Sequence, residues 1–211
     1  MNIPSRPVGA SPVGVSPVSA NAGCAGAAEW LRRAGVVLAG SLLVALCARV
    51  ALPLPFTPVP LTLQPFAVLA LGMFLAPRLA ATTLVAYLVE GAAGLPVFAP
   101  GVAGAAGFAH LFGPTGGYLL SYPIAAFAVA ALWRMSRRSF GWALISATAG
   151  NAIILSVGAL WLGIFTHASA GAVFAQAVVP FLPGDALKVA TAAALGFQWN
   201  RMSRGAQDPT V

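Results

Sequence analysis

The chain has 211 residues, of which 59% are hydrophobic and 7% charged, and its mean hydropathy is +0.89. A soluble domain shows water a surface with roughly a quarter charged residues, so this composition excludes a soluble globular protein and specifies an integral membrane protein. The net charge of +7 would suggest nucleic acid as a partner for a soluble chain, but here the basic residues stand at the ends of apolar runs, so we expect no nucleic-acid partner and a membrane-topology role for them.

Residues 1–28 are Pro, Ser, Ala and Gly without periodicity and read as a disordered N-terminal tail. Arg32 and Arg33 before the apolar run 34–48 resemble a secretory or twin-arginine signal. More spans follow, and a polytopic protein needs no cleaved signal, so helix one is predicted over 34–52, ended by Pro53, Pro55, Pro58 and Pro60. A short helix two begins at 61 or 65 and runs to 76, where Pro77 and Arg78 stop it. Helix three covers 78–93, with Glu90 near its far end.

The stretch 94–118 carries no charge, holds six glycines between Gly101 and Gly117, and adds Pro96, Pro100 and Pro114, which opposes a continuous helix. It is too apolar for a solvated linker. Non-helical backbone at membrane depth persists only where protein buries it or a cavity needs it, so this loop is expected to wall a binding site.

Helix four is predicted over 116–135, helix five over 140–165 and helix six from 184 or 185 to 200. The piece 168–179 is too short to cross and fits an interfacial or re-entrant helix. The fold class is therefore all-α: a bundle of six transmembrane helices over 29–204, with a long outward-facing Gly/Pro-rich loop between helices three and four and a C-terminal tail at 205–211. Alternate threading puts Arg6, Arg32, Arg33, Arg78, Arg134, Arg137, Arg138, Arg201 and Arg204 on one side, the cytoplasm, together with both termini. Arg49, Lys188, Glu90 and Asp185 fall toward the outside, beside the glycine loop, the Pro-rich first loop and the 180–185 turn. These features converge on an outward-facing pocket.

Asp185 and Lys188 are three apart at the start of helix six and share a face. Ionisable residues inside a span mark function by default. The alternative is that Asp185 caps the helix while Lys188 extends to the interface; a Lys-bound anion near the helix N-terminus is the preferred reading. Thr62 and Gln64 offer uncharged hydrogen-bonding groups, for a turn or for a ligand. Glu90 is a candidate site residue that would instead be structural if paired with Arg49. His110 stands without a second His or Cys at ligand spacing, and neither Cys24 nor Cys47 suggests a metal or disulfide, so no metal site is expected. Phe98, Phe108, Phe112, Tyr118 and Tyr122 are candidate pocket walls or interface anchors. Asn151, inside helix five, needs a polar partner, most often on another helix.

The segments TPVPLTLQ (57–64), GLPVFA (94–99), LFGPTGGYL (111–119) and PFLPGDALK (180–188) together closely resemble the BioY family, biotin-binding substrate components of energy-coupling-factor transporters. The likeness runs over 34–200. It implies a six-helix bundle binding biotin near its outer face in the cytoplasmic membrane of a prokaryote. It also implies a transmembrane coupling subunit and a pair of cytoplasmic ATPases that hydrolyse the ATP, with no cofactor in this chain. The family's helix-six Asp and Lys map onto Asp185 and Lys188; Gln64, Thr115, Gly116, Gly117, Tyr118, Phe98 and Glu90 complete the candidate substrate site. Lipid is an expected contact and self-association is open. Helix one carries a loose small-residue pattern, Gly35, Ala39, Ser41 and Ala45, where such components tend to show alanines four apart. Competing readings are a self-contained proton-coupled carrier titrating Asp185 or Glu90, a component for another vitamin, and an intramembrane enzyme; the chain shows no paired carboxylates, Ser-His arrangement or metal cluster for the last.

Overall fold

A computed structural model describes residues 20–100 and 107–205. The first helix, α1 (Ala20–Arg49), starts well before the predicted 34. Alanine, the best helix former, outnumbers Gly23 and Gly26 over 20–28, and Glu29 accepts hydrogen bonds from Arg32 at 2.8 Å and Arg33 at 2.6 Å one turn along. The predicted tail therefore loses 20–28 to the helix; residues 1–19 lie outside the described set. The helix also stops before 52. There β1 (Ala51–Leu52) leaves it to pair antiparallel with β2 (Leu61–Thr62), Ala51 opposite Thr62, so the proline series forms the turn of a small ribbon in an otherwise helical fold. Proline lacks the donor a helix needs, and two residues on each side suffice to close the turn.

Helix α2 (Gln64–Phe74) buries Ala67, Val68, Leu69, Ala70, Leu71, Gly72 and Met73 in succession, so no face of it meets solvent or lipid for most of its length. A helix apolar all round belongs at the centre of a bundle. It packs against α1, α4 (Gly116–Met135) and α7 (Leu182–Gly205). Proline at the start of α3 (Pro77–Ala92) costs nothing, because that N–H has no partner in the first turn. A 3-10 helix (Gly107–Phe112) leads into α4 (Gly116–Met135). The glycine-rich expectation over 101–106 falls outside the described residues. Ser139 caps α5 (Phe140–Thr166) by accepting from the Trp142 amide, Ser169 caps α6 (Ala170–Ala177) likewise, and α7 (Leu182–Gly205) follows a bend of 51°.

By length and composition α1, α4 and α5 are able to cross a membrane, and the bent α6–α7 pair makes a fourth candidate among the described residues. The 11 residues of α2 rise about 16 Å, roughly half of a hydrocarbon core, and α3 also falls short. The predicted helices are thus present as helices, but these lengths do not by themselves make six spans. Leu31, Leu38, Leu42 and Leu46 stand exposed along α1, as a membrane protein allows and a soluble one does not. The small residues of α1 divide: Gly35 and Ala39 are exposed, while Ser41 and Ala45 are buried inside the bundle.

Candidate functional site

One cavity of about 320 Å³ opens where the turn before α2, the connection into α4 and the start of α7 meet. Pro58, Val59 and Pro60 wall one side, Ile154, Leu155 and Phe165 of α5 another, and Tyr118, Leu119 and Tyr122 of α4 a third. Polar groups enter it at Thr62, Gln64, His110, Thr115, Asp185 and Lys188. The volume is at the small end of ligand cavities, roughly 300 to 1,000 Å³, and suits a compact metabolite with an apolar body.

Asp185 and Lys188 are 4% and 8% exposed and bonded to each other, Lys188 Nζ to Asp185 Oδ1 at 2.9 Å. Asn151 Nδ2 donates to the other carboxylate oxygen at 3.1 Å. Both Asp185 oxygens therefore have donors, whereas the ammonium has given one of its three. The sequence marks Asn151 as needing a partner on another helix, and Asp185 of α7 is that partner. Across the cavity rim, Gln64 Nε2 donates to the Tyr87 hydroxyl at 2.6 Å, Tyr87 donates to the Val97 carbonyl at 3.0 Å, and Thr62 donates to Gln64 Oε1 at 3.2 Å. Gln64 is held in place with one N–H and one lone pair left over. Tyr118 donates to the Ala177 carbonyl at 2.8 Å, tying α4 to the end of α6.

The structure thus brings Lys188, Asp185, Thr62, Gln64, Thr115, Tyr118 and Tyr122 to one cavity, and leaves six other candidates off its walls. Phe98 stacks on His110 with ring centroids 5.0 Å apart, one ring removed from the lining. Glu90 accepts from the Ser41 hydroxyl rather than pairing with Arg49. Glu90 thus meets α1 about two turns before Arg49. Gly117 faces α5, where a Cβ would stand 2.1 Å from Trp161 Cβ, and Gly116 sits against the 3-10 helix, where a Cβ would stand 2.0 Å from the Leu111 carbonyl oxygen. They permit helix contact rather than backbone approach to a ligand. Phe108 and Phe112 are exposed and pack on each other at 5.1 Å. Reading the sequence missed Ile154, Leu155, Phe165 and Phe181, because an aliphatic or aromatic residue in an apolar run carries no mark of the side it faces.

A sequence profile described as the BioY family matches residues 18–205. The chain belongs to the BioY family. Among BioY relatives, a Pyrococcus horikoshii protein named "Probable biotin transporter BioY" is 41% identical over 135 residues, 64% of this chain and 76% of that one. "Biotin transporter BioY" of Thermotoga maritima is 35% identical over 149 residues, covering 71% of this chain and 85% of the relative. A crystal structure titled as the S-component for biotin from an ECF-type ABC transporter superposes with a TM-score of 0.72 at 23% identity, over 82% of this chain and 93% of that one. That likeness establishes the S-component fold for this BioY chain.

Proposed function

We propose that this BioY protein captures biotin in the cavity at Lys188 and hands it across the cell membrane as the substrate component of an energy-coupling-factor transporter. The observation that carries this reading is a buried Lys188 that gives one of its three donors to Asp185 and stands in a cavity walled mostly by apolar side chains. Biotin presents a carboxylate for the ammonium, an apolar fused ring for Tyr118, Tyr122, Ile154 and Phe181, and a ureido group with donors and an acceptor. The residual N–H and lone pair of Gln64 complement that ureido, so Gln64 and Lys188, on different helices lining one cavity, are available to opposite ends of the ligand. Isothermal titration of the purified protein is expected to give saturable heat with biotin and none with vitamins lacking a carboxylate. Binding of a different vitamin in its place would keep the capture role and replace the ligand.

Under this reading α2 and α3 are short members of a six-span bundle, with the cavity outward and both termini cytoplasmic. Arg78, Arg134, Arg137, Arg138 and Arg201 then share the cytoplasmic side. Reporter fusions are expected to place the C-terminus and the Arg137 turn inside; either one found outside rejects the orientation.

An ATP-driven cycle would draw on partners, a transmembrane coupling subunit and an ATPase pair, since the 211 residues contain no GxxxxGK[ST] phosphate loop. Ala39, exposed beside Gly35 on α1, lies on a face where small residues allow close helix approach. Ala39→Trp is expected to impair uptake driven by the coupling subunits and to leave biotin affinity of the isolated protein unchanged. Loss of affinity itself would assign that face to the internal bundle. Uptake following a proton gradient in vesicles without any ATPase would favour a self-contained carrier.

A further inference from the structure

We propose that Asn151 is the positioning residue of the site, holding Asp185 and through it the Lys188 ammonium in the orientation that receives an anionic ligand. The identity of that ligand rests on the biotin reading above. Asp185 lies in a bridge between two helices: its Oδ1 takes Lys188 of its own helix at 2.9 Å, and its Oδ2 takes Asn151 of α5 at 3.1 Å. Chemistry sets the amide's direction, because turning it over would aim its carbonyl at a carboxylate oxygen, acceptor against acceptor.

That direction carries a cost. Asn151 is 7% exposed, and its Oδ1 has no hydrogen-bond partner among the described residues. An unsatisfied buried acceptor is destabilising; leucine, of similar size, would avoid it but would leave the Asp185 Oδ2 without its donor. The amide is therefore kept for its bond to Asp185, and that bond also fixes an orientation. Lys188 and Asp185 sit one turn apart on α7, so their mutual bond leaves the pair free to swing together about its side-chain torsions. A donor from a second helix removes that freedom. Because the donor is neutral, Asp185 remains the counterion of Lys188 alone, and the ammonium retains two N–H donors for a ligand carboxylate.

The test compares biotin with its uncharged carboxamide on wild type, Asn151→Leu, Asp185→Ala and the double variant, in detergent-purified full-length protein. Asn151→Leu is expected to weaken biotin about tenfold or more, as loss of a hydrogen bond to a charged group does, and to change the carboxamide less than about twofold. In the Asp185→Ala background the same substitution is expected to change biotin affinity by less than about twofold, since its target is gone. Equal weakening of biotin and carboxamide, or the same loss in both backgrounds, overturns the proposal by making Asn151 a packing residue. Should the leucine variant fail to fold, Asn151→Ser, whose hydroxyl is too short to reach Asp185, is read in the same way. A wild type that binds no biotin defeats the proposed function instead. The substitutions then report through ligand-free melting temperatures, and independent effects of Asn151→Leu and Asp185→Ala there overturn the positioning role.

Discussion

Lys188→Ala is expected to weaken biotin binding by roughly tenfold to a hundredfold, the range that follows from losing a charge-assisted hydrogen bond of about 1.5 to 3 kcal/mol. Two effects add in this variant. The ligand carboxylate loses its counterion, and Asp185, 4% exposed, keeps a buried charge with Asn151 as its remaining donor. Breaking one side of a buried ion pair is more damaging than never having had the pair, because the survivor stays desolvated. Biotin carboxamide separates the two. It is expected to bind wild type weakly and to distinguish little between wild type and Lys188→Ala, since it makes no use of the ammonium's charge. Equal affinity of wild type and variant for biotin in titration calorimetry would remove Lys188 from the site.

Gly117→Ala is expected to act on the fold before it acts on the ligand. A Cβ at this position would lie 2.1 Å from Trp161 Cβ and 2.9 Å from the Val157 carbonyl oxygen, both on α5. Neither atom is the loose end of a flexible side chain, so α4 and α5 must move apart. Overpacking of this kind costs about 1 to 3 kcal/mol, and more where backbone is forced to shift. Trp161 also donates to the Gly113 carbonyl at 2.9 Å, so the displacement reaches the connection that carries Pro114 and Thr115 into the cavity wall. The measurable outcome is a lower melting temperature in the absence of biotin, with bulkier substitutions failing to fold. Normal melting combined with weakened biotin binding would return the glycine to a role beside the ligand.

Much of the fold was legible because local rules govern it. The predicted fourth helix, 116–135, matches α4, and the predicted fifth ends within a residue of α5, since glycine, proline and basic residues punctuate those boundaries sharply. The start of α1 was not legible in the same way: the Pro/Ser/Gly composition of the first residues suggested a tail running to 28, while the alanines over 20–28 propagate a helix already nucleated downstream. The two-residue ribbon closing the proline turn left no periodic signal at all.

For the site, sequence by itself determined the charges and the membrane setting. Asp185 and Lys188 stand out because ionisable groups in an apolar chain are costly and three-residue spacing places them on one helix face. What sequence does not contain is the far side of any helix contact. Only the tertiary structure decided that Asn151 completes Asp185, that Glu90 meets Ser41 instead of Arg49, and that Gly117 serves the α4–α5 contact. The physical reason is common to all three. Helix lengths and crossing positions set which turn of one helix lies against which turn of another, and these depend on packing summed over the whole bundle rather than on the residues that finally touch.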